Sequence, residues 1–519
     1  MSLAPARLWV LARRYDSYAL VALTAACLCA LYLALSPLSP DLSAQLARSG
    51  AASRGAGLWW GGWYGGINTA TYSLVSGFAM SVVGVSTVGV LSTIVIGLAA
   101  ADLLRGAPRA RAGAVAAAVA ASSNLFSGRV TYAAGMAIAL MSLCLLRRGK
   151  VLAAVVLAAA CGLVSPLAAV CEVLGVLSLL PRQAWRPLVL AGAAACVPVA
   201  VVDVLFGQPS YMPYPADVML YGLLICGAVV ISGVPQAVRI AAVLSGLLAI
   251  GAWLVHSPLG SNAVRTPMLA AAPLLIAYGH PARWWGRLIL IGTVLWPTVT
   301  VLSDLSDANG AHSSAAYYRP LLQHLPAAGT STQRLEVLDP INHAGSYYLS
   351  AQVPLARGWE RQIDSASNPL FYDGSLSAPA YRTWLITHAV GWVAEPTSGE
   401  LDYGSTDEQQ LLRGGLPYLR ETWHDASWRL YRVMLNAPAA DGAAIVTALG
   451  DDSISFTTRA AGRSHFRVAY SALLVPRLNS DPSVEGCVSP TAEGDLDVQV
   501  PQAGDYQLLA DLGNHRCPD

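Results

Sequence analysis

Charge is what this sequence has least of. Asp, Glu, Lys and Arg make up 12% of its 519 residues, where ordinary soluble proteins carry roughly 25%. The net charge is only +1, so there is no strongly basic surface and no nucleic-acid partner is expected. No Cys-x-x-Cys pair or mixed Cys/His cluster has the spacing of a metal site, so none is expected from motif alone. Arg7, Arg13 and Arg14 precede the first apolar run, but no convincing small-residue cleavage site comes after it. That run is expected to stay as a helix rather than leave as a signal peptide.

What is present in excess is apolar sequence, 55% of the chain. It is unevenly spread. Up to about residue 303 charge occurs only in short clusters between apolar stretches, and beyond it the charge density is that of a soluble protein. A bilayer core about 30 Å thick needs about 20 apolar residues per helix. Candidate spans are 17–35, 71–104, 112–126, 130–146, 151–165, 167–180, 187–206, 217–234, 239–256, 266–279 and 287–303, about eleven in all. The run 71–104 is too long for one straight crossing and is expected to open with a short interfacial or re-entrant helix over about 71–81. With the N-terminus in the cytoplasm, fourteen Lys and Arg residues fall on inner segments and four (Arg48, Arg54, Arg129, Arg265) on outer loops. The asymmetry orients the bundle, and an odd number of crossings places 304–519 outside the cytoplasm. Heavy use of Ala, Gly, Arg and Val fits a GC-rich bacterial genome, and so a bacterial plasma membrane.

The outer loops are where chemistry can reside. The first, 36–73, is the longest. Its only acid, Asp41, opens DLSAQLARS, whose apolar spacing fits an amphipathic helix on the membrane surface. Asp41 can cap that helix, or serve as the carboxylate that takes a proton from an acceptor hydroxyl. The run WWGGWYGG (Trp59, Trp60, Trp63, Tyr64) suits a membrane interface. It equally suits a platform on which a sugar stacks, with glycines allowing close approach. Arg129 ends the turn of NLFSGRVTY, and Arg265 ends HSPLGSNAVR, which also holds His256 and Asn262. Each arginine can snorkel to lipid headgroups or hold the phosphate of a lipid carrier. His256 and Asn262 are candidate partners of the same phosphate or its sugar. Glu172 and Asp203 lie in or near apolar spans, where acids are candidate functional groups.

Beyond residue 303 the pattern changes. Residues 304–438 mix strand-like and helix-like runs, an α/β domain. Residues 439–519 alternate in period two between Gly, Pro and Asp turns, a small β-sandwich. Seven of the nine cysteines lie in apolar segments, and the remaining two, Cys487 and Cys517, can form a disulfide in an oxidising compartment. The segment PLARGWERQIDSASNPLFYD (354–373) reads either as a recognition loop or as a connection rich in charge pairs.

The motifs WYGGINTATYS, NLFSGRVTYAAGMAIAL, SPLGSNAVR and PLARGWERQ resemble a group of actinobacterial multi-pass membrane proteins. That group is often labelled transporter-like or 6-pyruvoyl-tetrahydropterin synthase-related. The layout is also similar to the GT-C superfamily of membrane glycosyltransferases: many spans, an acid in a long first outer loop, and a C-terminal outer domain. That resemblance implies an all-α polytopic domain (1–303) followed by the extracytoplasmic α/β domain and β-sandwich. It also implies a polyprenyl-phosphate sugar donor and a cell-envelope glycan or lipid acceptor. By it, Asp41 matches the catalytic base. A divalent metal ion is a possible cofactor, although the paired acids common in such loops reduce here to one. Two other readings remain open. A membrane transporter would show internal repeats and broken mid-membrane helices, and no repeat is evident. A non-enzymatic envelope assembly or scaffold protein would use the β module to hold a partner.

Overall fold

The computed structural model describes residues 4–180, 184–279, 284–513 and 515–518. Of the inner cations, Arg182 and Arg283 lie outside the described residues, as do the side chains of Arg7, Arg13 and Arg14. The chain divides into two compact units. One comprises residues 1–42, 83–202 and 211–306, and the other 43–82, 203–210 and 307–519.

Among the described residues thirteen α-helices run in order up to residue 307: α1 Ala4–Leu35, α2 Pro40–Ser53, α3 Ser76–Val83, α4 Val85–Leu103, α5 Ala110–Phe126, α6 Val130–Arg147, α7 Val151–Val164, α8 Pro166–Ser178, α9 Trp185–Phe206, α10 Ala216–Ile231, α11 Gln236–Leu254, α12 Arg265–Tyr278 and α13 Trp284–Asp307. Every apolar run singled out from the sequence carries a helix. Among the described residues six are long and apolar enough to cross a membrane by length and composition: α1, α4, α6, α9, α11 and α13. Helices α7, α8 and α10 are apolar but shorter. The long run 71–104 is broken at Gly84, whose φ of 89° separates α3 from α4. Ser165 ends α7 and caps α8 by accepting from the Ala168 N–H, with Pro166 as the first helical residue, where its missing donor is no loss.

The first unit packs through small side chains. Gly135 faces Ala168 and Ser165, Gly113 faces Ala277, and Gly162 faces the Ala195 carbonyl, each too closely for a Cβ. Buried Ala114, Ala118, Ala154, Ala158, Ala191 and Ala195 extend the pattern, which lets helix backbones approach where hydrophobicity alone gives no driving force. Large apolar side chains such as Leu23, Val201, Leu224, Leu247 and Val299 point outward, as a lipid-facing surface requires.

The second unit is β-rich. Strands 334–337, 390–396, 428–433 and 419–424 form a four-stranded sheet in that order, the first pair parallel and the others antiparallel. After it comes a sandwich, built from a four-stranded sheet (487–490, 495–500, 462–469, 440–441) and a five-stranded sheet (481–485, 474–478, 504–510, 453–458, 444–449). Phe456, Phe466 and Tyr506 fill its core. Cys487 and Cys517 are joined by a disulfide.

Residues 43–82 belong to this β-rich unit, and two expectations change as a result. From Ser43 onward α2 does not present an amphipathic face to lipid. Ser43, Ala44, Gln45, Ala47, Arg48 and Ala51 are buried, the Ser43 hydroxyl donates to the Asn342 carbonyl, and Arg48 pairs with Glu360. Nor is the aromatic run an exposed sugar platform or an interfacial belt. Trp59, Trp60, Trp63 and Tyr64 are all buried. Trp59 joins the sandwich core. The Trp60 indole donates to Asp451 at 2.6 Å and the Trp63 indole to the Ser346 carbonyl at 3.2 Å. The Tyr64 hydroxyl donates to the Gly358 carbonyl at 2.6 Å and accepts from the Glu360 N–H. The glycines serve this packing rather than a ligand: an added Cβ at Gly61 would stand 2.4 Å from the Gly450 carbonyl, and at Gly358 2.3 Å from the Trp63 ring.

Candidate functional site

Three helix ends of the first unit meet at one cluster of charge. Asp41 sits in the first turn of α2, just after Pro40. It is not the residue that precedes the helix, and its carboxylate accepts from the Arg129 side chain, Nε to Oδ2, at 3.0 Å. Arg129 stands immediately before α6. Its Nη2 lies 3.6 Å from Oδ2 of Asp304, in the last turn of α13. One guanidinium is thus shared by two carboxylates, leaving a formal charge of −1. The Asp41 side chain is about a third exposed, at 34%, while Arg129 and Asp304 are at 15% and 17%. A third-exposed carboxylate can meet a substrate while its cation stays shielded.

Local sequence explains how Arg129 arrives there. Gly128 adopts φ 75° in the tight turn between α5 and α6, and a Cβ on it would stand 2.2 Å from the Leu42 backbone nitrogen. Only glycine combines the left-handed conformation with that approach. The turn therefore lies directly against the start of α2, beside Asp41. The Arg129 N–H closes the turn on the Asn124 carbonyl at 2.8 Å.

Arg265 opens α12 and places its guanidinium 5.4 Å from the Tyr132 ring centroid, on the first turn of the helix that Arg129 precedes. The neighbouring Thr266 hydroxyl bonds to both the Tyr132 hydroxyl (3.1 Å) and the Cys171 thiol (2.6 Å). The start of α6 thus brings the two arginines to one region. His256 and Asn262 are not drawn into this group. His256 is exposed and packs against Tyr211 at 4.9 Å between ring centroids. Asn262 lies in the short 3-10 turn 260–264, its backbone N–H bonded to the Leu259 carbonyl.

Asp304 is the residue that sequence reasoning missed. It falls just past the apolar run 287–303, and nothing local distinguishes it. Of the two acids that were singled out within spans, Asp203 is exposed, whereas Glu172 is buried at 1% with neither carboxyl oxygen hydrogen-bonded among the described residues.

A second polar cluster lies wholly in the β-rich unit, and segment 354–373 supplies most of it. Arg357 bonds Asp364 at 2.8 Å and reaches Glu336 (3.4 Å) and Glu408 (3.6 Å). Arg361 bonds Asp402 at 2.5 Å. His343 stands between Asp339 (3.3 Å) and Asp402 (3.5 Å), its ring stacked on Trp359 at 3.4 Å. Burial pushes the Glu336 and Glu408 carboxyls up, reinforced by their mutual proximity or by Asp364, while Arg357 pulls them down. For His343 burial alone lowers the imidazolium, yet Asp402 and Asp339 outweigh it and raise the group above its ordinary value. A cavity with room for about one water lies between Asp339, His343 and Arg357. This enclosed, self-paired network is a structured connection rather than an open recognition loop.

A divalent metal is poorly served. Among the described residues no group of three or more His, Cys, Asp or Glu is arranged to hold one, and the Arg129 guanidinium sits between the two acids that would be its ligands.

No family model matches the chain, and no curated protein matches it. Among solved structures it is similar to the arabinofuranosyltransferase AftD from mycobacteria, with a TM-score of 0.44 at 12% identity over 95% of this chain and 57% of that one. Two structural classes of a point mutant of AftD give a TM-score of 0.41 each, at 16% and 15% identity. They cover 80% and 82% of this chain and 41% and 42% of theirs. The chain therefore spans little more than half the length of these structures at most.

Proposed function

We propose that this chain is a membrane glycosyltransferase of GT-C type. It would move a sugar from a polyprenyl-phosphate donor to a cell-envelope glycan or lipid acceptor at the extracytoplasmic face. The reading is carried by one observation: Arg129 holds Asp41 at 3.0 Å across 88 residues of sequence, with Asp304 behind it. Further support comes from the loop-charge asymmetry, which puts this end of the bundle outside, and from the Cys487–Cys517 disulfide, which belongs in an oxidising compartment.

In this mechanism the acceptor hydroxyl attacks C1 of the donor sugar. The new O–C1 bond forms as the C1–O bond to the lipid phosphate breaks, and configuration inverts. Asp41 takes the hydroxyl proton. Arg129 can turn from Asp41 toward the departing phosphate, freeing Asp41 as base at the moment the anion needs a partner. Asp304 keeps the guanidinium oriented during that exchange, and Arg265 faces the rest of the anion. No step is routed through a metal, because the acids are already engaged with a guanidinium.

The test is transfer from a lipid-linked sugar by purified protein in lipid nanodiscs. Asp41→Asn should lower transfer by about 10²–10⁴-fold, the usual contribution of a general base. Asp41→Asn at full activity would remove the assignment and return the transporter and scaffold readings to the front.

A further inference from the structure

The end of the first unit away from Arg129 gathers positive charge around one carboxylate. Helix α6 starts beside Arg129 and ends at Arg147. Its 18 residues rise about 27 Å, close to the thickness of a bilayer core. At that far end Asp102, in the last turn of α4, collects two guanidiniums. It pairs with Arg105, just beyond its own helix, and with Arg148 at 2.9 Å, from the turn after α6. The Tyr18 hydroxyl of α1 accepts from the Arg105 Nε at 2.9 Å, which ties a third helix to the cluster. Arg147 donates to the carbonyl of Leu103, the residue after Asp102. Lys150 closes the turn that Arg148 opens, its N–H bonded to the Leu145 carbonyl at 2.9 Å. Arg105, Arg147, Arg148 and Lys150 are all exposed. Asp102 is the only acid between residues 102 and 150, so three positive charges stand in excess here.

The surroundings are open. Gly106 and Gly149, with φ 85° and 70°, make the two turns, and a Cβ on either meets nothing within 4 Å. Directly beyond Lys150, α7 presents Leu152 and Val156, 79% and 59% exposed. Four residues apart, they share one helix face.

We propose that this end of the bundle binds an anionic phospholipid carrying two phosphates, with its headgroup on Arg105, Arg147, Arg148 and Lys150 and an acyl chain along Leu152 and Val156. The loop-charge asymmetry makes this the cytoplasmic leaflet. Guanidinium forks suit phosphate oxygens, and a headgroup with a single charge would leave most of the excess unmet. The apolar track beside the charge selects a lipid over a free phosphate, which would have no use for it. Asp102 holds the forks of Arg105 and Arg148 in place before the lipid arrives, which lowers the cost of ordering them. The inference stands apart from the transferase reading and needs no activity for its test.

Delipidated protein in a non-ionic detergent would be titrated with cardiolipin, phosphatidylglycerol, phosphatidylcholine and inorganic pyrophosphate, with bound lipid counted by native mass spectrometry. Cardiolipin should bind most tightly and phosphatidylcholine least. Arg147→Gln and Lys150→Gln should each weaken cardiolipin about fivefold, the usual worth of one basic residue at an anionic leaflet. Arg239→Gln removes an exposed cation on α11, outside this cluster, and should change binding by less than about twofold. Melting temperatures of all three variants identify any loss caused by misfolding. Phosphatidylglycerol bound as tightly as cardiolipin would overturn the two-phosphate assignment, and pyrophosphate bound as tightly would overturn the lipid. An equal loss in Arg239→Gln, or undiminished binding in Arg147→Gln and Lys150→Gln at the wild-type melting temperature, would overturn the site.

Discussion

Arg129 is a planar fork set between two carboxylates, and its chemistry is not interchangeable with that of lysine. Lysine carries the charge but cannot hold Asp41 and Asp304 from one rigid group. Arg129→Lys is therefore expected to lower transfer about tenfold or more, since lost transition-state contacts of this type cost that or greater, while leaving the melting temperature nearly unchanged. Equal activity in the two forms would mean that only charge matters. Asp41 and Arg129 were legible in the sequence because each is out of place, an acid alone in its loop and an arginine on the minority side. Asp304 was not, because an acid at the end of an apolar span is usually just hydrated. The aromatic run was misread for a physical reason. Tryptophan and tyrosine suit an interface, a sugar or a core equally well, and the deciding partners, Asp451 and Ser346, lie 391 and 283 residues away from Trp60 and Trp63.

At the level of elements, the α5–α6 turn is the most sensitive. Gly128→Val would put a branched side chain at φ 75° against the Leu42 backbone. The backbone strain alone costs about 1–3 kcal/mol, and relief requires moving the turn away from α2. Transfer should then fall as far as in Arg129 variants although Arg129 is intact, which an assay of both would show. Helix positions were well read from apolar periodicity, including the break that separates α3 from α4. Among the described residues six of these helices have the length and composition of a crossing, and α7, α8 and α10 are apolar but shorter. The polar cluster that segment 354–373 forms with His343 yields a pH prediction. The folded-state pKa of His343 is raised, so its charged form stabilises the fold below its unfolded value of about 6.5. That contribution is lost as pH rises through the folded value. The melting temperature should therefore fall as pH is raised above about 6.5, and His343→Gln should flatten that slope. Glu336 and Glu408 shift in the same direction and will leave a residual slope. His388, held low by burial, acts with opposite sign on the acid side. An unchanged slope in His343→Gln would show that the imidazole is not the group that titrates.

For the whole molecule, the composition shift falls near residue 303, and the C-terminal portion of the second unit starts at residue 307. It could not reveal that residues 43–82 join that portion, since their burial depends on partners more than 250 residues downstream. The disulfide closes a span of 30 residues at the C-terminal edge of the sandwich. Cys487→Ser should lower unfolding free energy by about 2–5 kcal/mol, the usual effect of losing such a link. The loss should be matched by reductant acting on wild type and be absent when reductant is added to the variant.

The placement of Trp59, Trp60, Trp63 and Tyr64 inside a body otherwise made mainly from residues 307–519 sets an order on biosynthesis. Synthesis runs from the N-terminus, so this stretch leaves the ribosome long before anything exists to enclose it. Four large rings must wait, unsheltered, while the intervening helices are inserted. The last two hundred residues, made in isolation, would in turn have a hole where those rings belong. A chaperone acting on the nascent chain would find its binding segment here, and a secreted C-terminal fragment should stay soluble only when residues 43–82 are supplied with it.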